Sequence, residues 1–167
     1  LRRRFIICLL AVLVCSVISY FYSDRIIALL KRPFPHSLVF MSPQEPFIIT
    51  LKIALFGGIV FALPVIIYEA WQFISLGLKE KEKKYLLLYG PVSLLLFLSG
   101  ASFAYFVVIP IGLRFLLGFG GSSLEPVISI SKYLSLITLM ILAFGVVFEL
   151  PLVSLFLVRI GVVSPQF

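Results

Sequence analysis

Two carboxylates stand where a carboxylate is costly. Glu149 is the single charge within the apolar stretch 133–158. It lies sixteen residues after Tyr133, roughly 24 Å along a helix. An ionised acid at the centre of a membrane helix costs about 2.5–3.5 kcal/mol on insertion scales. Glu149 is therefore expected to be protonated, paired, or turned toward a wet cavity. Two readings stay open: a structural hydrogen bond to a neighbouring helix, or a polar docking point for a partner helix in a wet groove.

The second carboxylate is Glu82, inside Lys79-Glu80-Lys81-Glu82-Lys83-Lys84. By composition this is a solvated charge run that sets topology. A carboxylate here could also take an arginine in bidentate fashion. An exposed pair contributes only about 0.2–1 kcal/mol, and the flanking lysines repel a cation. A useful arginine site thus needs Glu82 partly desolvated at the lipid boundary and joined by another acid.

Other chemistry finds little support. His36 is the only histidine and lies in a Pro-rich connection, so a Ser/His/Asp arrangement has no framework. No Cys/His/carboxylate cluster has metal-ligand spacing, and neither a metal nor another cofactor is expected. Cys8 and Cys15 are seven residues apart on one apolar run, roughly 10 Å along a helix, too far to bridge. Gly120-Gly121-Ser122-Ser123 follows no strand and lacks the Lys-Ser/Thr ending of a phosphate loop. An enzyme is not expected.

The elements that must hold these residues follow from composition. The 167 residues are 62% hydrophobic and 13% charged, against about 45–50% apolar and 25% charged in soluble domains. Too few polar groups remain to cover a water-facing exterior, so lipid is the solvent. About 20 apolar residues cross the hydrocarbon as a helix. Four such stretches occur, at approximately 5–22, 48–74, 85–110 and 133–158. Alternating strands are absent and a β-barrel is not expected. The reading is an all-α polytopic membrane protein with one domain. The first helix is expected to be retained, because Tyr20-Phe21-Tyr22 offers no small-residue cleavage site.

Lys and Arg placement sets orientation. With the N-terminus inside, the inner segments hold Arg2, Arg3, Arg4, Lys79, Lys81, Lys83, Lys84 and Arg159. The outer ones hold Arg25, Lys31, Arg32, Lys52, Arg114 and Lys132. The inner segments are also shorter, so basic density favours N-inside. The net charge of +7 fits orientation and anionic headgroups; no basic patch interleaved with aromatics suggests nucleic acid.

The connection 23–50 carries a short apolar face, Ile26-Ile27-x-Leu29-Leu30, and is stiffened by Pro33, Pro35, Pro43 and Pro46. It is expected to form a structured cap. Gly57-Gly58 and Ser99-Gly100-Ala101-Ser102 with Ala104 permit close helix approach, within one subunit or as a surface for another helix. Pro64, Pro91, Pro110 and Pro151 can each kink a helix, which suits a bent, concave bundle.

Ser42-Pro43-Gln44-Glu45-Pro46, Pro64, Trp71-Gln72-Phe73-Ile74, Gly77-Leu78 and Glu82 together resemble the TatC family. Phe103-Ala104-Tyr105, Pro110, Phe115, Phe148-Glu149-x-Pro151 and Gly161-Val162 extend the resemblance over essentially the whole chain. It implies the core receptor and scaffold of the twin-arginine translocase, which exports folded proteins using the proton-motive force. It implies a curved bundle of six helices with both ends cytoplasmic, in the bacterial cytoplasmic (inner) membrane. Glu82 would be one of two acids reading the paired arginines of the signal peptide, with Phe73 nearby. Glu149 would be the intramembrane acid of the fourth helix, on the concave side. Partners would be twin-arginine signal peptides and TatA- and TatB-type single-helix proteins, within the lipid bilayer.

Two departures stand out. The family's other signal-reading acid precedes the stretch matching Leu1-Arg2, and Leu76 stands where many members have proline. The non-Met start and the ending Ser164-Pro165-Gln166-Phe167, which reads as the opening of another helix, suggest four of six helices, truncated at both ends. The alternative from another class is a proton-coupled small-solute transporter built around Glu149.

Overall fold

The computed structural model describes the backbone of residues 2–34, 38–74, 80–118 and 127–159, and their side chains except at 74, 80–88 and 159. The helices are α1 (Arg2–Phe21), α2 (Ser23–Lys31), α3 (Glu45–Ile74), α4 (Glu80–Phe103), α5 (Ile109–Gly118) and α6 (Ile130–Arg159). A π-helical turn, Ala104–Val108, joins α4 to α5. Two short strands, β1 (Leu38–Val39) and β2 (Ile128–Ser129), complete the described elements.

Among the described residues four segments are long and apolar enough to cross a membrane: Arg2–Phe21, Glu45–Phe73, Tyr89–Gly118 and Ile130–Val158. They match the expected spans in number and order, but the helices run further at their ends. Charge limits how much chain lipid accepts, not how far a helix extends. Arg2 to Arg4 and Glu80 to Lys84 are sound helix formers and continue α1 and α4 outside the apolar stretch. α3 begins at Glu45, because Pro46 is tolerated in a first turn whose N–H groups lack helical partners anyway.

Pro64, Pro91 and Pro151 lie inside α3, α4 and α6. Pro110 follows the last residue of the π turn by two, as the second residue of α5. A proline in a continuous helix lacks its own N–H and presses on the carbonyl one turn back, here that of Phe106. The widened turn over 104–108 takes up that conflict, and the span continues through it.

The small residues serve packing within the chain. Gly57 faces Ser19 and Gly58 faces Ser16, and a Cβ at either position would overlap the serine hydroxyl. α1 and α3 therefore lie close along this seam, and Ser19 is the one buried residue α1 contributes. On the other side of the bundle, Gly100 lies against the Phe144 carbonyl and the Phe148 ring, while Gly145 faces the Phe97 ring. These contacts hold α4 against α6.

The described part of the connection after α1 is structured, as its apolar pattern suggested. α2 turns Ile26, Ile27 and Leu30 into a cluster with Phe34, Ile49, Ile53, Ile109, Leu113, Tyr133 and Ile137. The Tyr105 hydroxyl donates to the Leu29 carbonyl at 2.6 Å and the Tyr133 hydroxyl to the Leu30 carbonyl at 3.0 Å. These bonds satisfy carbonyls at the end of a helix, where intrahelical donors run out. β1 pairs with β2 in parallel, Leu38 against Ile128 and Val39 against Ser129. Two residues per strand are too few to leave an alternating pattern in the sequence, and the fold is all-α as expected. Glu45 ties the cap together, its Oε1 accepting from Ser129 Oγ at 2.9 Å and its Oε2 from the Met41 N–H at 2.8 Å. Lys52 Nζ donates to Ser135 Oγ at 3.0 Å, bridging α3 and α6 just below.

Candidate functional site: an intramembrane carboxyl in a groove between three helices

At the end of the bundle opposite the cap, α3, α4 and α6 diverge around a groove of ≈ 430 Å³. Its walls are apolar side chains such as Leu63, Ile67, Phe97, Val146 and Val153, interrupted by Ser93 and Glu149. α6 presents Glu149 inward just before Pro151, and α4 presents Ser93 two residues after Pro91. Ser93 Oγ donates to Glu149 Oε2 at 2.5 Å, and Ser93 is buried. The second carboxyl oxygen, Oε1, is buried and has no hydrogen-bond partner among the described residues. The structural reading of Glu149 is what the geometry shows directly: a hydrogen bond between α4 and α6. Glu149 also lines the groove.

An aromatic cluster borders the groove on the side away from the cap. Trp71 stacks on Tyr89 at 5.2 Å between ring centroids, and Phe156 meets both edge-on at 5.1 and 5.8 Å. With Leu152 these form a second buried core. Phe73 follows Trp71 by two residues, about 200° around the helix, so one ring points inward and the other out. Phe73 is 48% exposed. It does not line the groove.

Glu82 belongs to the first turn of α4, but its side chain lies outside the described residues. Phe73 in the last turn of α3 and Glu82 in the first turn of α4 flank the connection 75–79, so both sit at the groove's end of the bundle. Leu76, Gly77 and Leu78 lie outside the described residues, as do His36, Gly120 to Ser123, and Gly161-Val162. Among the described residues no group of three or more His, Cys, Asp or Glu could hold a metal ion. Cys8 and Cys15 are free thiols.

Sequence reasoning missed Ser93 as the partner of Glu149. A lone serine in an apolar helix usually bonds its own backbone, as Ser99 and Ser102 do here, and nothing in the sequence distinguishes Ser93 from them. It also gave Glu45 no role. The signal was there, an acid held between two prolines at a helix start, but its partner lies 84 residues away.

The comparisons with known proteins agree. The family model for TatC, the Sec-independent protein translocase protein, matches residues 1–167. The TatC protein of Carboxydothermus hydrogenoformans is 40% identical over all of this chain and 70% of its own length. That of Aquifex aeolicus is 39% identical over 99% of this chain and 72% of its own length. A crystal structure of the twin arginine translocase receptor TatC, in DDM, superposes with a TM-score of 0.90 at 38% identity, covering 98% of this chain and 76% of that one. All of these are protein-translocase components, and the solute-transporter reading of Glu149 gains no support from them.

Proposed function

Because the chain belongs to the TatC family of Sec-independent protein translocase proteins, we propose that it is the translocase subunit that receives twin-arginine signal peptides and nucleates export of folded cargo. It is a multi-pass membrane protein of a protein translocase. Within that, the reading assigns Glu82 as an acid that takes a signal arginine, with Phe73 beside it. Glu149 is assigned as the intramembrane polar contact for a partner helix of the TatA or TatB type. The chain acts as receptor and scaffold rather than as an enzyme. Its place is the bacterial cytoplasmic membrane with the N-terminus on the cytoplasmic side, and the proton-motive force drives transport.

The observation that carries this reading is the likeness to the twin arginine translocase receptor over 98% of the chain. The local arrangement supports it. Phe73 and Glu82 stand on consecutive helix ends, at the end of the bundle that an N-inside orientation turns toward the cytoplasm.

Glu82→Gln tests the assignment. A charge-assisted hydrogen bond contributes about 1.5–3 kcal/mol, so affinity for an Arg-Arg signal peptide should fall roughly 10- to 100-fold. Unchanged affinity would remove Glu82 from the site.

A further inference from the structure

Glu69 is an acid to which neither the cap, the groove nor the reading of Glu82 gives a role. It stands on α3 four residues before Phe73, so the two share a face, one turn and about 40° apart. It also lies four residues inside the end of the apolar span Glu45–Phe73, roughly 6 Å within the lipid boundary. The side chain is partly buried, and its Oε2 is buried with no hydrogen-bond partner among the described residues. A carboxyl oxygen in that state is unfavourable.

The facing helix supplies an opposite charge. α1 runs antiparallel to α3, with Ser19 at Gly57 and Ser16 at Gly58. Its partly buried positions recur from Ser16 through Val12 and Cys8 to Arg4, and this stripe packs on α3. Arg4 is twelve residues from Ser16 and Glu69 is eleven from Gly58. These are roughly 18 and 17 Å along their helices, so the two charges come to one level. Glu69 also acts electrostatically on Cys8, one turn from Arg4. Yet Arg4 Nη1, like Glu69 Oε2, is buried without a hydrogen-bond partner among the described residues. A bidentate pair engages both carboxyl oxygens, and with Oε2 open that pair is not formed. Arg4 balances the charge, while the fork-shaped contact stays open to a guanidinium that is free to orient.

We propose that Glu69 is a further arginine-reading acid with Arg4 as its resident counter-ion, and that an arginine of the signal peptide displaces Arg4 from it. Resting on the signal-peptide reading above, this gives Glu82 the partner acid that its lysine neighbours make necessary. A guanidinium that reaches Glu69 from the end of α3 passes the exposed Phe73 ring, whose face also attracts a cation. The displaced Arg4 turns outward, since a long basic side chain near a helix end reaches the headgroups.

The test measures the affinity of fluorescently labelled signal peptides for the intact protein in membrane vesicles. Glu69→Gln removes the charge at constant size and should weaken binding of an Arg-Arg peptide roughly 10-fold. Arg4→Gln removes the competitor and should tighten binding roughly 3-fold or more. Arg3→Gln makes the same change in net charge at an exposed neighbour and should leave affinity unchanged. The opposite signs separate exchange from a structural tie between α1 and α3. A tie predicts that both substitutions weaken binding or that neither alters it, and either result overturns the exchange. Equal tightening by Arg4→Gln and Arg3→Gln would reflect net charge alone and overturns it too. Should Glu69→Gln fail to fold, Arg4→Gln decides, because a gain in affinity cannot come from damage. Loss of binding on Glu82→Gln with none on Glu69→Gln overturns the exchange and spares the signal-peptide reading. An Arg-Arg peptide that binds the unsubstituted protein no tighter than a Lys-Lys peptide overturns that reading, and the exchange with it.

Discussion

Ser93 and Glu149 face each other across the α4–α6 seam, with the serine hydroxyl 2.5 Å from one carboxyl oxygen. The contact depends on close helix approach. Gly100 and Gly145 lie along the same seam, where side chains of any size would hold the helices apart. Small residues at one level thus let a short hydroxyl reach a carboxyl at another.

Ser93→Ala should leave both oxygens of Glu149 without a partner. A buried acceptor left unpaired costs about 1–3 kcal/mol, so thermal unfolding in detergent should shift down measurably. The double variant Ser93→Ala with Glu149→Leu should recover most of that loss, since apolar replacement of both partners removes the penalty. A double variant no more stable than Ser93→Ala would show that the hydrogen bond is not what couples the two sites.

Gly58→Leu should part α1 from α3. Its side chain would have to occupy the space of Ser16, and overpacking of a tight contact costs typically 1–3 kcal/mol. Because α1 otherwise buries little against the bundle, protease accessibility of the 23–34 connection should rise while the α4–α6 seam stays intact. An unchanged digestion pattern would contradict the close seam.

The cap gives a third expectation. Glu45→Ala removes the acceptor for both the Met41 N–H and Ser129 Oγ, and hydrogen exchange at 38–41 and 128–129 should accelerate together. Exchange confined to one strand would mean that Glu45 does not tie them. Tyr133→Phe, which frees only the Leu30 carbonyl, should cost about 1 kcal/mol and leave the strand pair protected.

Much of this arrangement is legible in the sequence because lipid imposes simple rules. Long apolar runs gave four spans, and Ile26, Ile27 and Leu30 gave the packed face of α2. Glu149 drew attention because a charge in a span is rare. What the sequence hides is long-range pairing. Ser93 looks like any serine in a helix, and Gly57 could have faced a partner as readily as Ser19. The meeting of Glu45 with Ser129 depends on two loops converging, which no local pattern encodes. The Tyr89 hydroxyl, buried and without a hydrogen-bond partner among the described residues, leaves no local mark either, since that is a property of the packing around it.

The central claim is that the end of the bundle bearing Phe73 and Glu82 reads paired arginines. A photo-crosslinker at Lys81, beside Glu82, measures this directly in membranes when signal peptides carrying Arg-Arg or Lys-Lys are compared. A guanidinium presents a planar fork that a carboxylate binds through two parallel hydrogen bonds, and an ammonium does not. Capture of the Arg-Arg peptide should exceed that of the Lys-Lys peptide by roughly tenfold or more. Equal capture of the two would contradict the account.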